Sequence, residues 1–124
     1  MTSNKDVGLH SGLQQAIDLY HAGRLGDAIK LLQKLGKAFP ESAKLWGYLG
    51  FLNREADQPV AAARCFRNAV ELSPKSERAS LGLFFTLWRL KKFDAALKEM
   101  ARFVLVANSK AYLPLFGGAA LEVA

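Results

Sequence analysis

Apolar residues in this chain recur with two periods at once. Within a segment such as LWGYLGFLNREADQPVAAARCFRNAVELSPKS, Leu45 to Ser76, they fall three and four residues apart, the spacing of a helix face. Between segments the pattern returns every 34 residues, aligning Ala28 with Ala62 and Ala96, and Leu32 with Phe66 and Met100. The same register aligns Leu25 with Pro59 and Phe93, and Pro40 with Pro74 and Asn108. Together the periods predict helix pairs over about 9–21 and 25–38, 42–56 and 59–72, and 77–90 and 93–107. Gly23 falls in the first turn, Pro40 and Pro74 lie where helices must stop, and Ser42 and Ser76 stand at N-cap positions.

These residues resemble the tetratricopeptide repeat family. Trp46, Leu49, Gly50, Ala62, Phe66, Ala69 and Pro74 of the second unit match its aromatic, aliphatic, small and proline positions. The first unit matches at Ala16, Ala28, Leu32 and Pro40, with Gly12 in place of the aromatic, and the third at Leu83, Leu87, Phe93 and Ala96. Phe84 fills a slot that is usually small, which implies wider spacing of the third helix pair, and Asn108 replaces the closing proline. The resemblance implies an all-α, right-handed superhelical solenoid in one domain spanning 1–124, with repeats over about 9–42, 43–76 and 77–110. First helices then line the concave side, and Ala28, Ala62 and Ala96 allow close crossing of each pair.

Once residues such as Trp46, Leu49, Leu83 and Leu87 are assigned to packing, a second stripe remains on the first helices. Leu13, Ile17 and Tyr20 begin it, Gly47, Phe51 and Arg54 follow one period later, and Leu81, Phe85 and Trp88 one period after that. Such an exposed patch calls for a cover, either the protein's own chain or a partner held by aromatic anchors. The clamp subset of the family grips the C-terminal carboxylates of heat-shock chaperones with lysines, asparagines and an arginine. Those places here hold Leu13, Ile17, Tyr48, Arg78 and Gly82, of which Arg78 alone suits the task. An apolar floor rimmed by Lys44, Arg54, Arg78 and Arg89 instead suits a helical or extended protein segment with apolar anchors and acidic flanks. In size and architecture the chain is similar to small bacterial repeat proteins that act as secretion chaperones or toxin antidotes. The reading is therefore a small cytoplasmic chaperone, inhibitor or immunity-type protein, with a self-associating scaffold as the alternative.

Composition sharpens this. The 124 residues are 51% hydrophobic, enough for a core, and carry a net charge of +6. Lys30, Arg64 and Lys98 repeat along the second helices, with Lys34, Lys37, Arg67 and Arg102 nearby, so the convex face is expected to be basic. Glu71, Asp94 and Glu99 interrupt it and no RNP-like aromatic motif accompanies it, which disfavours nucleic acid and favours a solvated outer face. A single cysteine, Cys65, permits no intramolecular disulfide, and its setting suggests packing rather than nucleophilic chemistry. His10 and His21 stand eleven residues apart, too far along a helix to share a metal, and no phosphate-binding glycine loop is present. No enzyme, metal site, cofactor or membrane span is expected. The last stretch, SKAYLPLFGGAALEVA, reads as a capping helix over about 110–122, with Ser109 as N-cap. Pro114 and the pair Gly117 and Gly118 should kink or shorten it, and its sparse charge leaves two readings, a segment half buried against a partner or a second copy, or a frayed end.

Overall fold

The computed structural model describes residues 4–107 and 110–116. Six α-helices form three consecutive pairs: α1 (Asn4–His21) with α2 (Leu25–Ala38), α3 (Ala43–Glu55) with α4 (Pro59–Leu72), and α5 (Glu77–Arg89) with α6 (Phe93–Ala107). No strand occurs among the described residues. Each helix packs on its sequence neighbour, and α5 also touches α3, so the first helices of successive pairs lie side by side.

The period is visible in the backbone as well as in the side chains. Gly23, Asp57 and Lys91, spaced by the repeat, all take positive φ angles of 78°, 61° and 62°. At each site the same two hydrogen bonds close the turn: Gly23 N–H to Tyr20 O and Arg24 N–H to Leu19 O are matched by Asp57 to Arg54 and Gln58 to Asn53, and by Lys91 to Trp88 and Lys92 to Leu87. Glycine meets this geometry without strain, whereas aspartate and lysine adopt it under the demand of the helix pair. Between units, Ser42 and Ser76 cap α3 and α5, accepting from the N–H groups of Leu45 at 3.1 Å and Ala79 at 3.2 Å.

Two apolar clusters form the core, one around α1, α2 and α3 and one from α4 to the chain's C-terminal part, and Trp46 and Phe51 pack against both. Phe66 holds the second cluster together. A Cβ added to Gly50 would meet its ring at 3.0 Å, and one added to Gly82 at 2.3 Å, so the absence of side chains at both positions lets α3 and α5 approach the same aromatic ring. The small residues at the helix crossings behave alike: Ala28, Ala62 and Ala96 are fully buried.

Two expectations from the sequence are corrected. Helix α1 begins at Asn4 rather than near residue 9, adding more than a turn before the repeat motif starts. The capping helix expected over 110–122 is, in its described part, a 3-10 turn at Leu113–Phe116. Pro114 within it has no N–H to continue an α-helix. Asn108, Ser109, Gly117, Gly118 and the rest of that stretch lie outside the described residues. What the segment does contribute is Tyr112, which is buried and packs edge-on against Phe84 at 5.2 Å and against Phe103 at 6.0 Å. The large side chain at position 84 is thus covered by Tyr112.

Candidate functional site

Two hollows open on the side where the first helices lie together. The larger, about 870 Å³, runs between α3 and α5, with Phe66 of α4 in its wall. The smaller, about 280 Å³, lies where α1 and Leu32 of α2 meet α3. Tyr48 and Phe51 line both and divide one from the other. Phe51 is held there by an edge-to-face contact with Tyr20 at 5.5 Å and by the Arg54 guanidinium 5.6 Å from its ring centre.

Of the residues singled out in the sequence, Lys44, Tyr48, Phe51, Arg54, Arg78, Leu81 and Phe85 line the larger hollow. Leu13, Ile17 and Tyr20 line the smaller. Leu13 is only 5% exposed and sits in the first core cluster, so it is a packing residue with one edge on the hollow rather than a groove anchor. Trp88 and Arg89 line neither hollow. Trp88 turns aside to stack on Phe84 at 5.6 Å and meet Phe93 at 4.6 Å, and Arg89 forms an ion pair with Asp57 at the α3–α4 turn. The single apolar stripe expected from i, i+4, i+7 spacing is therefore interrupted twice, by the Tyr48–Phe51 divide and by the departure of Trp88. Phe66, expected as core alone, also lines the larger hollow together with Gly47 and Gly82.

The charged residues of the larger hollow are all cationic: Lys44, Arg54 and Arg78. Among the described residues none of them belongs to an ion pair. Arg54 lies over two rings, 5.6 Å from Phe51 and 5.8 Å from Phe66, a stacking that engages the face of the guanidinium rather than the N–H edges that would bond an anion. The smaller hollow has only His21 as an ionisable lining side chain besides its tyrosines.

A polar cluster escaped sequence reading altogether. Ser80, fully buried, donates to Glu99 Oε2 at 2.6 Å and shares a 2.6 Å hydrogen bond with the Tyr112 hydroxyl. Arg102 closes over Glu99 with bonds of 2.8 and 2.6 Å and also donates to the carbonyl of Pro74. The sequence puts both residues on the outer charged face, yet they secure the α4–α5 turn and the C-terminal turn to α6. Burial pushes the Tyr112 hydroxyl up to about 12, although its bond to Ser80 works the other way. Cys65 is buried too, with the Asn53 amide 3.8 Å from its sulfur, and burial raises its thiol to about 11, a setting for packing rather than nucleophilic attack.

A stacked series of helix pairs with a partly apolar hollow on its first-helix side defines a helical-repeat scaffold. The profile of the tetratricopeptide repeat family matches residues 5–123, and the chain belongs to that family. No curated protein sequence matches it significantly. Solved structures with the same fold include the first repeat domain of Spaghetti (RPAP3) bound to an HSP90 peptide, SRMEEVD, with TM-score 0.75 and 16% identity over 94% of this chain and 96% of that one. The second repeat domain of the same protein, with the same peptide, gives 0.72 and 15% over 79% and 91%. An O-GlcNAc transferase of Thermobaculum terrenum gives 0.75 and 18% over 94% of this chain but 23% of its own.

Proposed function

We propose that the three repeats act as one recognition module, which binds a segment of another protein in the hollow between α3 and α5. The observation that carries this is the set Lys44, Arg54 and Arg78, in no ion pair among the described residues, around a floor of Tyr48, Phe51, Phe66, Leu81 and Phe85. A floor of this kind supplies aromatic anchoring, and the cations supply complementarity to acidic residues. The peptide on the RPAP3 repeats supports a protein segment as ligand, but its mode of capture does not transfer. Of the clamp positions, Leu13 is buried, Gly82 is pressed against Phe66 and only Arg78 is cationic. A cytoplasmic chaperone, inhibitor or immunity-type role is the finer reading we attach to this groove.

The test is selection from a displayed peptide library, followed by binding of the enriched peptides to Phe85→Ala and Arg78→Glu. Phe85 is 42% exposed, so its removal should leave folding intact while binding falls at least about tenfold, the size expected of an aromatic anchor. Equal affinity of wild type and both variants would sink the reading. A self-associating scaffold is the second reading, favoured by the outer side of α6, where Leu97, Val104 and Leu105 are exposed, Leu105 by 83%. Sedimentation of Leu105→Glu distinguishes it, since only a dimer built on α6 would dissociate.

A further inference from the structure

The hollows differ in chemistry as well as in size. The lysine and arginines that line a hollow, Lys44, Arg54 and Arg78, all line the larger one, and the smaller is walled by Leu13, Ala16, Ile17, Leu32 and Leu52 with Tyr20 beside them. At about 280 Å³ the smaller lies just under the range of roughly 300–1,000 Å³ that holds a whole small ligand, so it suits a side chain rather than a segment. The larger, at about 870 Å³, has room for several residues. Their shared wall, Tyr48 and Phe51, occupies a single turn of α3.

We infer that the partner segment is read in two halves: one apolar side chain enters the α1–α3 hollow across the Tyr48–Phe51 divide, while an acidic stretch lies against Lys44, Arg54 and Arg78. This rests on the concave side being the binding site. The asymmetry fixes the order of the two halves along the module, because an acidic residue in the smaller hollow would lose water without gaining a cation. Neighbouring helices pack about 8–10 Å apart and an extended chain advances about 3.3 Å per residue, so the anchor and the acidic stretch are separated by about three residues. His21 also lines the smaller hollow and adds a ring N–H as donor.

The experiment uses the full chain and two synthetic fluorescent peptides that contain a leucine, a three-residue Ser-Gly-Ser spacer and a Glu-Asp-Glu stretch, one in each direction. One direction should bind at least tenfold more tightly than the other. In the tighter peptide, leucine to alanine should cost little further affinity in an Ile17→Arg variant but keep its full effect in Arg78→Gln. Replacing the acids by their amides should show the reverse coupling and remove the salt dependence. Because Ile17 is half-buried and its replacement can perturb α1, the leucine is also exchanged for a photoreactive benzoylphenylalanine in wild-type protein. Adducts on Leu13–His21 support the two-part reading, and adducts on α5 overturn it. Binding that weakens in Arg78→Gln and Phe85→Ala but is indifferent to peptide direction removes the two-part reading and leaves the groove. Absence of binding by either peptide overturns this proposal, while library selection in the larger hollow still decides the groove reading.

Discussion

At the scale of single residues, the most consequential positions are those with no side chain. Gly82 and Gly47 belong to neighbouring first helices, yet a methyl group on Gly82 would lie 2.3 Å from the Phe66 ring while one on Gly47 would meet nothing within 4 Å. Phe66 has little room to shift, since even a Cβ placed on Gly50 would meet the same ring at 3.0 Å. Gly82→Ala should therefore lower stability by about 1–3 kcal/mol, as overpacking does, whereas Gly47→Ala should raise it by up to about 1 kcal/mol through helix propensity. Urea denaturation of the two variants checks this, and a similar effect from both would contradict the close contact at Phe66. Tyr112 makes a different prediction. Its folded value near 12 lies above the ordinary value of about 10, so the stability it carries is complete below pH 10 and is lost as pH rises from 10 to 12. Two units of separation correspond to a loss of roughly 2–3 kcal/mol. Tyr112→Phe should flatten that part of the stability profile in alkaline melting experiments, and an unchanged profile would refute the assignment. The hydroxyl's partners were invisible in the sequence because Ser80, Glu99 and Tyr112 are brought together from three separate segments, with no periodic relation between them.

At the scale of helices and turns, most of what the repeat implied was legible. The starts of α3 and α5 followed from Ser42 and Ser76, whose hydroxyls have one dominant use before an apolar helix, and α4 begins at Pro59, where its fixed φ suits the first turn. The start of α1 was not legible, because the polar residues before Leu9 carry no apolar period to mark a boundary. The turns show a stricter order than the residues that form them. Gly23 was recognisable by type, whereas Asp57 and Lys91 could be found only by carrying the 34-residue register into the loops. Lys91 holds φ 62° with no ion pair among the described residues. A left-handed conformation costs a side-chain-bearing residue about 1–2 kcal/mol, and glycine gives back roughly 0.5–1 kcal/mol of that in chain entropy. Lys91→Gly should consequently stabilise the protein by about 0.5–1 kcal/mol in thermal melts, and a destabilised variant would show that Lys91 makes a contact of greater value than its strain.

At the scale of the whole molecule, the candidate site was legible in part because periodicity locates a face but not its relief. The stripe from Ile17 to Phe85 was correctly placed on the first helices, while its division at Tyr48 and Phe51 depends on ring orientation, and the loss of Trp88 on a neighbour, Phe93, in the next helix. Charge has the same ambiguity, since a net +6 attracts an acidic partner wherever the cations sit. Lys30, Arg64 and Lys98 are exposed on α2, α4 and α6, whereas Arg54 and Arg78 line the hollow. Each reversal to glutamate changes the net charge by two, so the triple variant of the outer ladder falls from +6 to 0 and the double variant of the hollow only to +2. Attraction by overall charge predicts weaker binding in the triple variant. Local recognition predicts the opposite order: the double variant should lose at least tenfold in affinity for acid-bearing peptides selected by the wild type, and the triple variant much less, because screening at physiological salt shortens the reach of exposed charges to about 8 Å. Titrations at 50 and 150 mM salt separate the two, since a contribution from overall charge shrinks with added salt while contacts in a water-excluding hollow persist. If the triple variant is the weaker binder at both salt concentrations, recognition belongs to the outer face and the hollow between α3 and α5 is not the site.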